Sequence, residues 1–217
     1  MNINKNAKRI LIFGDSYTFG KIPAGDRYDN ESRYTGLLQK KLGDGYEIIE
    51  EGLRGRMIEG ENAFFPFRNG FEQFGPILGS HLPIDLLILF MGTNDANSGS
   101  HKTPQEIVQG YDYYLGVVKW WVEHLDFPQP KILIIAPPII NELESYKIFK
   151  ELFKGAQDKV EKLVQLLRAY ADKNNLEFFD SSAIITTSNI DGIHLDEEAN
   201  ELLAEALSTK IKECRLD

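Results

Sequence analysis

Residues 85–91 read DLLILFM, an aspartate followed by six consecutive apolar residues. A strand that is apolar at consecutive positions is typical of a parallel sheet covered by helices on both faces. Further short apolar runs, each beside a Gly, Pro or Asp, lie at Arg9 to Phe13, Tyr46 to Glu50, Lys131 to Ala136 and, more weakly, Leu176 to Phe179. The sequence therefore predicts five parallel strands in one sheet.

Helical patterns lie between these runs. Thr103-Pro104-Gln105-Glu106 is a capping signal, and an apolar stripe with the helical period continues from Ile107 to Leu125. A second stripe runs from Ala199 to Ile211 after the acidic residues 196–198, which favour the positive end of a helix dipole. Because strand and helix alternate, we expect one α/β domain over residues 1–217, a three-layer, doubly wound, flavodoxin-like fold.

The composition excludes several classes of protein. The chain has 217 residues, 42% of them hydrophobic, which is enough for the core of one soluble domain. A net charge of −9 argues against nucleic acid as a partner, because a negative surface is repelled by a phosphate backbone. No apolar run approaches the roughly 20 residues that cross a bilayer, and Ile10 to Phe13 is too short for a secretion signal. We therefore expect no membrane association and a cytoplasmic location.

Residues 59–76, EGENAFFPFRNGFEQFGP, form an irregular stretch. They hold five of the chain's 13 phenylalanines without a sustained helical or strand period: Phe64, Phe65, Phe67, Phe71 and Phe74. Large exposed apolar patches mark ligand sites or interfaces. Three interpretations stay open: a wall of the substrate pocket, a contact in a homo-oligomer, and simple packing onto the domain's own surface.

Polar and glycine residues follow the predicted strands, where a parallel sheet forms its ligand crevice. Gly14-Asp15-Ser16 follows the first strand, Gly52 the second and Gly92-Thr93-Asn94-Asp95 the third, while Asp191-Gly192-Ile193-His194 precedes the last helix. In the predicted fold, these four segments converge on one site.

Three of these residues have the chemistry of a nucleophilic site. A serine hydroxyl needs a base with a pKa near the working pH, and a third group that holds the base in the useful tautomer. Ser16, His194 and Asp191 offer all three, and the Asp-x-x-His spacing lets both side chains of a turn reach the same side. Each feature alone has a simpler interpretation, Ser16 as a helix cap and Asp-x-x-His as a chance pairing.

Acyl transfer also needs donors that face the oxyanion of the tetrahedral intermediate. The candidates are the backbone NH of Gly52, which no side chain blocks, the NH of Ser16, and the side-chain amide of Asn94. An ordinary turn glycine at Gly52 and an Asx turn at Asn94 are the alternatives.

Together the four segments resemble the signature blocks of the SGNH/GDSL esterase superfamily, in family order and over nearly the full length. The resemblance is strongest to the aryl esterase and acyltransferase branch, some members of which transfer acyl groups to alcohols or hydrogen peroxide. The stretches that are similar to this branch are RYTGLLQKKLG, IIEEGLRGRM, SHLPIDLLILFMGTNDAN and PKILIIAPP. The resemblance implies the SGNH hydrolase fold. It also implies Ser16 as nucleophile, His194 as base, Asp191 as its orienting group, and Ser16, Gly52 and Asn94 as oxyanion donors.

Two departures from that branch concern the pocket. Phe19 stands where relatives often carry Trp, and Arg54 where the residue is often small. We expect Phe19, Arg54 and Ile193 to contact the substrate. For Arg54 and Arg56, near the predicted mouth, two interpretations stay open: binding a carboxylate, and pairing with acidic neighbours.

The sequence carries no cofactor or metal motif. It lacks the Gly-Lys-Ser or Gly-Lys-Thr of a Walker loop, and Gly14-Asp15-Ser16 does not complete Gly-x-Gly-x-x-Gly. Thr18 stands where an α/β-hydrolase elbow needs its second glycine. His81, His101 and His124 are scattered without ligand spacing, so we expect neither a cofactor nor a metal.

The sequence thus predicts a serine esterase that acts on short-chain aryl or alkyl esters through an acyl-enzyme, and the resemblance implies acyl transfer to alcohols or peroxide as an added capacity. The expected partner is a small-molecule ester. An esterase that deacetylates sugars is the alternative within this class. From another class, a non-catalytic module that binds an ester or a sugar stays open.

Overall fold

The strands form as predicted. The computed structural model describes residues 3–62, 64–142 and 147–216. Within these ranges five parallel strands pair in the order β2-β1-β3-β4-β5, and they are β1 (Lys8–Gly14), β2 (Tyr46–Gly52), β3 (Leu86–Phe90), β4 (Lys131–Ala136) and β5 (Glu177–Asp180). The direction of strand progression reverses between β1 and β3, which is where an open α/β sheet binds its ligand.

Helices cover both faces of the sheet. They are α1 (Ser16–Phe19), α2 (Tyr34–Leu42), α3 (Gly70–His81), α4 (Pro104–Gln109), α5 (Tyr111–Leu125), α6 (Lys147–Leu152), α7 (Ala156–Lys173) and α8 (Glu197–Glu213). One core lies between the sheet and α3, α4, α5 and α7, and a second lies between the sheet and α2 and α8. Of the helices in the described ranges, none has both the length and the apolar character to cross a bilayer.

Strand β1 shows why the apolar runs have no polar face. Leu11 and Phe13 face the first core, Ile10 and Ile12 face the second, and all four side chains are fully buried. A strand between two cores needs apolar residues at every position. The predicted three-layer α/β architecture is therefore confirmed.

The apolar stripe predicted from Ile107 to Leu125 forms two helices instead of one. α4 ends one residue before Gly110, and α5 begins one residue after it. A Cβ at Gly110 would lie 2.5 Å from Cγ2 of Ile58, so only a glycine allows this close approach. The capping box between Thr103 and Glu106 is present as predicted.

The prediction that the apolar stripe of the last helix forms its buried face is correct only in part. Asp196 is the N-cap, and its side chain accepts a hydrogen bond from the Ala199 NH. Leu202 is 45% exposed, whereas Asn200 is buried and accepts a hydrogen bond from the Tyr34 NH at 3.0 Å. A polar residue therefore occupies the contact between α2 and α8 because its oxygen has a partner there.

The phenylalanine-rich stretch is more regular than its sequence pattern indicates. Residues 70–76 belong to α3, although no sustained period predicts a helix there. Phe74 is fully buried and Phe71 packs against the first core, whereas Phe64 and Phe67 are 58% and 77% exposed. Packing onto the domain therefore explains the second half of the stretch but not the first.

Candidate active site

The predicted site residues lie at the carboxyl ends of the strands. Ser16 begins α1 directly after β1, and Asn94 begins a short 3₁₀ turn after β3. Asp191 and His194 lie in the loop that precedes α8. Ser16, Asn94, Ile193 and His194 line one pocket of about 220 Å³. The parallel topology thus brings segments that are far apart in the sequence to a single crevice.

A short hydrogen bond orients His194. Its Nδ1 lies 2.7 Å from Oδ2 of Asp191, while Oδ1 of Asp191 accepts the backbone NH groups of Ile193 and His194 at 3.0 and 2.9 Å. Burial acts to raise the pKa of Asp191, but the hydrogen bonds and the charge of His194 outweigh burial and hold the pKa at about 2. Asp191 is thus an anion at neutral pH, which keeps a proton on Nδ1 and leaves Nε2 as an acceptor.

Ser16 and His194 face the same pocket although they are far apart in sequence. The Tyr17 hydroxyl donates to the Ile193 carbonyl at 2.9 Å, and this bond holds α1 against the loop that contains His194. Among the hydrogen bonds of the described residues, none joins the Ser16 hydroxyl to His194. Such bonds often form or tighten only when the substrate binds.

The glycine that lines the pocket is Gly55 and not Gly52. Gly52 ends β2 and lies against the backbone of α1, where a Cβ would come within 2.2 Å of the Phe19 nitrogen. Gly55 lines the pocket with Ser16 and Asn94, and its φ of 75° is in the left-handed region that favours glycine. Gly55, and not the expected Gly52, therefore has its backbone at the pocket.

We expect Gly52→Ala to reduce the stability of the fold. The added methyl group would lie 2.2–2.7 Å from backbone atoms of Thr18 and Phe19, and backbone moves less easily than a side chain. The free energy of unfolding should decrease by about 2 kcal/mol, as for other overpacked sites. Denaturant titration measures the loss against Gly45→Ala, where a Cβ would meet no atom within 4 Å. Equal midpoints for the two variants would contradict the tight packing at Gly52.

A buried carboxylate positions Asn94. The side-chain amide of Asn94 donates to the Arg56 carbonyl at 3.0 Å and to Oδ2 of Asp15 at 3.3 Å. Asp15 also accepts the Tyr17 NH at 3.0 Å and so caps α1. Burial raises the pKa of Asp15 from 3.8 to about 7, aided by the charge of Asp95 and opposed by the Tyr17 NH and Arg56.

We expect the contribution of Asp15 to stability to depend on pH. Because its pKa is raised to about 7, the folded chain holds this proton more tightly than the unfolded chain, and the free energy of unfolding decreases as the pH rises through this range. Asp15→Asn does not ionise, so its stability relative to wild type should increase from about pH 4.5 to about pH 7.5. Denaturant titrations at both pH values measure this difference. A difference that does not change with pH would contradict the raised pKa.

The pocket wall is apolar apart from a few polar and two cationic side chains. The apolar side chains are Phe64, Phe65, Phe149, Leu152 and Phe153. Arg54 lines the pocket as predicted, and Lys21 lines it as well. Phe64 and Phe65 support the interpretation of the phenylalanine-rich stretch as a pocket wall. Lys21, Asn62, Asn97 and the three side chains from residues 149–153 were not predicted, since they lie outside the four signature segments.

Phe19 and Arg56 do not line the pocket, contrary to expectation. The guanidinium of Arg27 lies over the Phe19 ring, 4.5 Å from its centre. Arg56 is buried, with its guanidinium 3.9 Å from the centre of the Phe13 ring, and it donates to the Gly14 carbonyl at 2.8 Å. The carbonyls of Gly14 and Glu51, the aromatic face and the charges of Glu51 and Asp15 therefore compensate the charge of Arg56.

The histidines other than His194 lie apart from one another. His81 contacts Glu51 at 3.0 Å, and His101 and His124 are exposed. Within the described ranges, no three His, Cys, Asp or Glu side chains are grouped so that they could hold a metal ion. The polar side chains that line the pocket carry hydroxyl, imidazole, amide and cationic groups.

Known proteins resemble this chain over nearly its full length. Est24, a carbohydrate acetylesterase from Sinorhizobium meliloti, is 38% identical, with a TM-score of 0.89 over 95% of this chain and 99% of that one. The aryl esterase of M. smegmatis is 33% identical, with a TM-score of 0.88 over 95% and 99%. A carbohydrate acetylesterase family member from Sinorhizobium meliloti is 31% identical, with a TM-score of 0.86 over 95% and 98%.

Among curated proteins, none matches the chain in sequence. The match to a known protein family, in contrast, covers most of the chain. Residues 12–202 match the GDSL-like lipase/acylhydrolase family, and this range contains all four signature segments. With this match and the SGNH fold of its structural relatives, the chain belongs to the GDSL-like lipase/acylhydrolase family.

Proposed function

We propose that this carboxylic ester hydrolase works through an acyl-enzyme, with Ser16 as the nucleophile and His194 as the base. The observation that supports this best is the 2.7 Å hydrogen bond between His194 and Asp191, in a loop that faces the same pocket as Ser16. An ionised Asp191 keeps the Nδ1 proton in place, so Nε2 is able to accept the serine proton.

The reaction has two steps. First, Nε2 of His194 takes the Ser16 proton as Oγ attacks the ester carbonyl, and the same proton then goes to the oxygen of the leaving alcohol as its bond to the acyl carbon breaks. Next, His194 takes a proton from water, the water oxygen attacks the acyl carbon, and the proton returns to Ser16 as its ester bond breaks. Asp191 stays ionised throughout and stabilises the imidazolium.

The oxyanion site consists of the NH groups of Ser16 and Gly55 and the side-chain amide of Asn94. All three residues line the pocket. Each such donor typically contributes about 10²- to 10³-fold to the rate. Because the Asn94 amide has only two N–H groups, the one that donates to Asp15 at 3.3 Å has to turn to the oxyanion, while the bond to the Arg56 carbonyl at 3.0 Å holds the side chain in place.

The substrates that fit the pocket best are short-chain esters of aryl or alkyl alcohols. A volume of about 220 Å³ admits a small molecule, and the phenylalanine side chains favour a flat apolar group. Acyl transfer to alcohols or to hydrogen peroxide belongs to the same proposal. Deacetylation of sugars is the second candidate, because Est24, at 38% identity, is named a carbohydrate acetylesterase.

A substrate panel tests these proposals. We expect p-nitrophenyl acetate to be the best of a series of p-nitrophenyl esters of increasing acyl length, with an ester product formed when an alcohol is added. A higher kcat/KM for acetylated sugars would favour the second candidate. A serine-directed phosphonate should label Ser16, as located by mass spectrometry of peptides. Binding of esters with neither turnover nor labelling would indicate the non-catalytic module.

Association and location are further parts of the proposal. Phe64 and Phe67 are more than half exposed, and exposed rings of this size favour a homo-oligomeric contact. Sedimentation velocity measures the mass in solution, and a monomer at all concentrations would overturn the contact. The cytoplasmic location stays a prediction from the sequence, which cell fractionation checks.

A further inference from the structure

The pocket carries positive charge in a chain whose net charge is −9. Lys21 and Arg54 line it, whereas Asp and Glu are absent from its described lining. Burial lowers the pKa of Lys21, and the positive charge of Arg54 lowers it further, so the two cations act on each other. Two like charges beside an apolar wall favour the binding of an anion between them.

Among the residues that the structure describes, no carboxylate forms an ion pair with the ammonium group of Lys21. It donates to the backbone carbonyl of Ile22 at 2.9 Å and to that of Gly25. Asp191 and Asp26 act on Lys21 through space, but Asp191 already holds His194 through a 2.7 Å contact. The positive charge of Lys21 is therefore only partly compensated.

Arg54 is less compensated still. Its guanidinium lies 5.8 Å from the centre of the Phe65 ring, and in the described part of the chain no carboxylate forms a salt bridge with it. Arg33, also partly buried, is paired with Glu50 at 2.6 Å. A planar guanidinium with open donors is suited to bind a carboxylate through two parallel hydrogen bonds.

The position of Arg54 limits where such a carboxylate lies. Arg54 precedes Gly55, whose NH is a proposed oxyanion donor, and consecutive Cα atoms are only about 3.8 Å apart. Arg54 also lines the same pocket as Ser16 and His194. A carboxylate bound by Arg54 therefore lies in the same pocket as the ester carbonyl.

We propose that this enzyme prefers esters that carry a carboxylate close to the ester group, with Arg54 as the main specificity-determining residue and Lys21 as a supporting charge. This substrate class rests on the proposed function, since it assigns the ester carbonyl to the oxyanion site beside Arg54. The chemistry applies to a carboxylate on the acyl side, as in a dicarboxylic half ester, and to one on the alcohol side.

Matched substrates test the preference. On the acyl side, the mono-p-nitrophenyl ester of glutaric acid is compared with p-nitrophenyl pentanoate, in which a methyl group replaces the carboxylate. On the alcohol side, p-acetoxybenzoate is compared with p-acetoxybenzamide. Each kcat/KM is divided by the rate of hydroxide hydrolysis of that ester, which removes intrinsic reactivity. The charged-to-neutral ratio is then measured for wild type, Arg54→Gln, Arg54→Glu and Lys21→Gln.

We expect Arg54→Gln to lower this ratio by about fivefold to tenfold for at least one pair. Arg54→Glu should lower the ratio further, and Lys21→Gln should lower it less. Arg168→Gln is the matched control, because it removes a positive charge from the exposed face of α7 and should leave the ratio unchanged. In wild type the ratio should fall as salt rises from about 0.05 M to about 0.5 M.

An unchanged ratio in both Arg54 variants, with neutral esters still hydrolysed, would overturn the carboxylate preference and leave the proposed function intact. An equal decrease of the charged-to-neutral ratio in Arg168→Gln would also overturn the carboxylate preference, because a general charge effect would then be the cause. Absence of neutral ester hydrolysis and of phosphonate labelling at Ser16 in wild type would overturn the proposed function, and the preference with it.

Discussion

Ser16→Ala lowers kcat/KM for p-nitrophenyl acetate by about 10⁴-fold or more, which is the expected result if Ser16 forms the acyl-enzyme. Alanine retains the pocket and the oxyanion donors but has no oxygen that can attack the carbonyl. The folded structure should tolerate the change, since the Ser16 hydroxyl takes part in no hydrogen bond among the described residues. Steady-state kinetics and the burst of p-nitrophenol measure the loss, and thermal unfolding checks the fold.

Ser80→Ala is the matched control for this experiment. Ser80 is an exposed serine of α3 whose hydroxyl donates to the Pro76 carbonyl, so its removal should leave turnover at the wild-type level. The phosphonate should label Ser80→Ala and should not label Ser16→Ala. Substantial turnover by Ser16→Ala, or labelling of another serine in that variant, would show that the nucleophile lies elsewhere.

The fold could be predicted because its decisive pattern is local. Ile10 and Ile12 face one core and Leu11 and Phe13 the other, so β1 has no polar face and its sequence alone indicates a doubly covered sheet. The contact between the histidine and aspartate of the last segment is equally local, because the two residues are three positions apart in one turn. Local spacing of this kind can be seen directly in a sequence.

The pocket wall could not be predicted in that way, because backbone turns and distant contacts decide it. α1 is a single turn that ends at Phe19 and is capped by Gly20 in the left-handed conformation, and after this cap Lys21 and not Phe19 lines the pocket. Phe65 and Phe153 line the same pocket only because the tertiary fold brings distant segments together. Neither effect leaves a periodic signal in the sequence.

Asp191→Asn should lower kcat/KM by about 10³- to 10⁴-fold although it changes few atoms. The asparagine Oδ1 is still able to accept the backbone NH groups of Ile193 and His194, so the loop should keep its shape. Its NH₂ group, however, would face Nδ1 of His194, which must then accept. The ring proton would move to Nε2, and a protonated Nε2 is unable to take the proton of Ser16.

Two further measurements separate this tautomer effect from a simple loss of structure. Because the pKa of Asp191 is about 2 in the folded chain against an ordinary 3.8, its contribution to stability is present above about pH 4 and is lost as the pH falls toward 2. Asp191→Asn should lack this pH dependence and yet remain folded at neutral pH, while the exposed variant Asp158→Asn should retain both the pH dependence and the activity. A folded Asp191→Asn with wild-type kcat/KM would contradict an orienting role for Asp191, because a histidine base without an anionic partner at Nδ1 should not reach that rate.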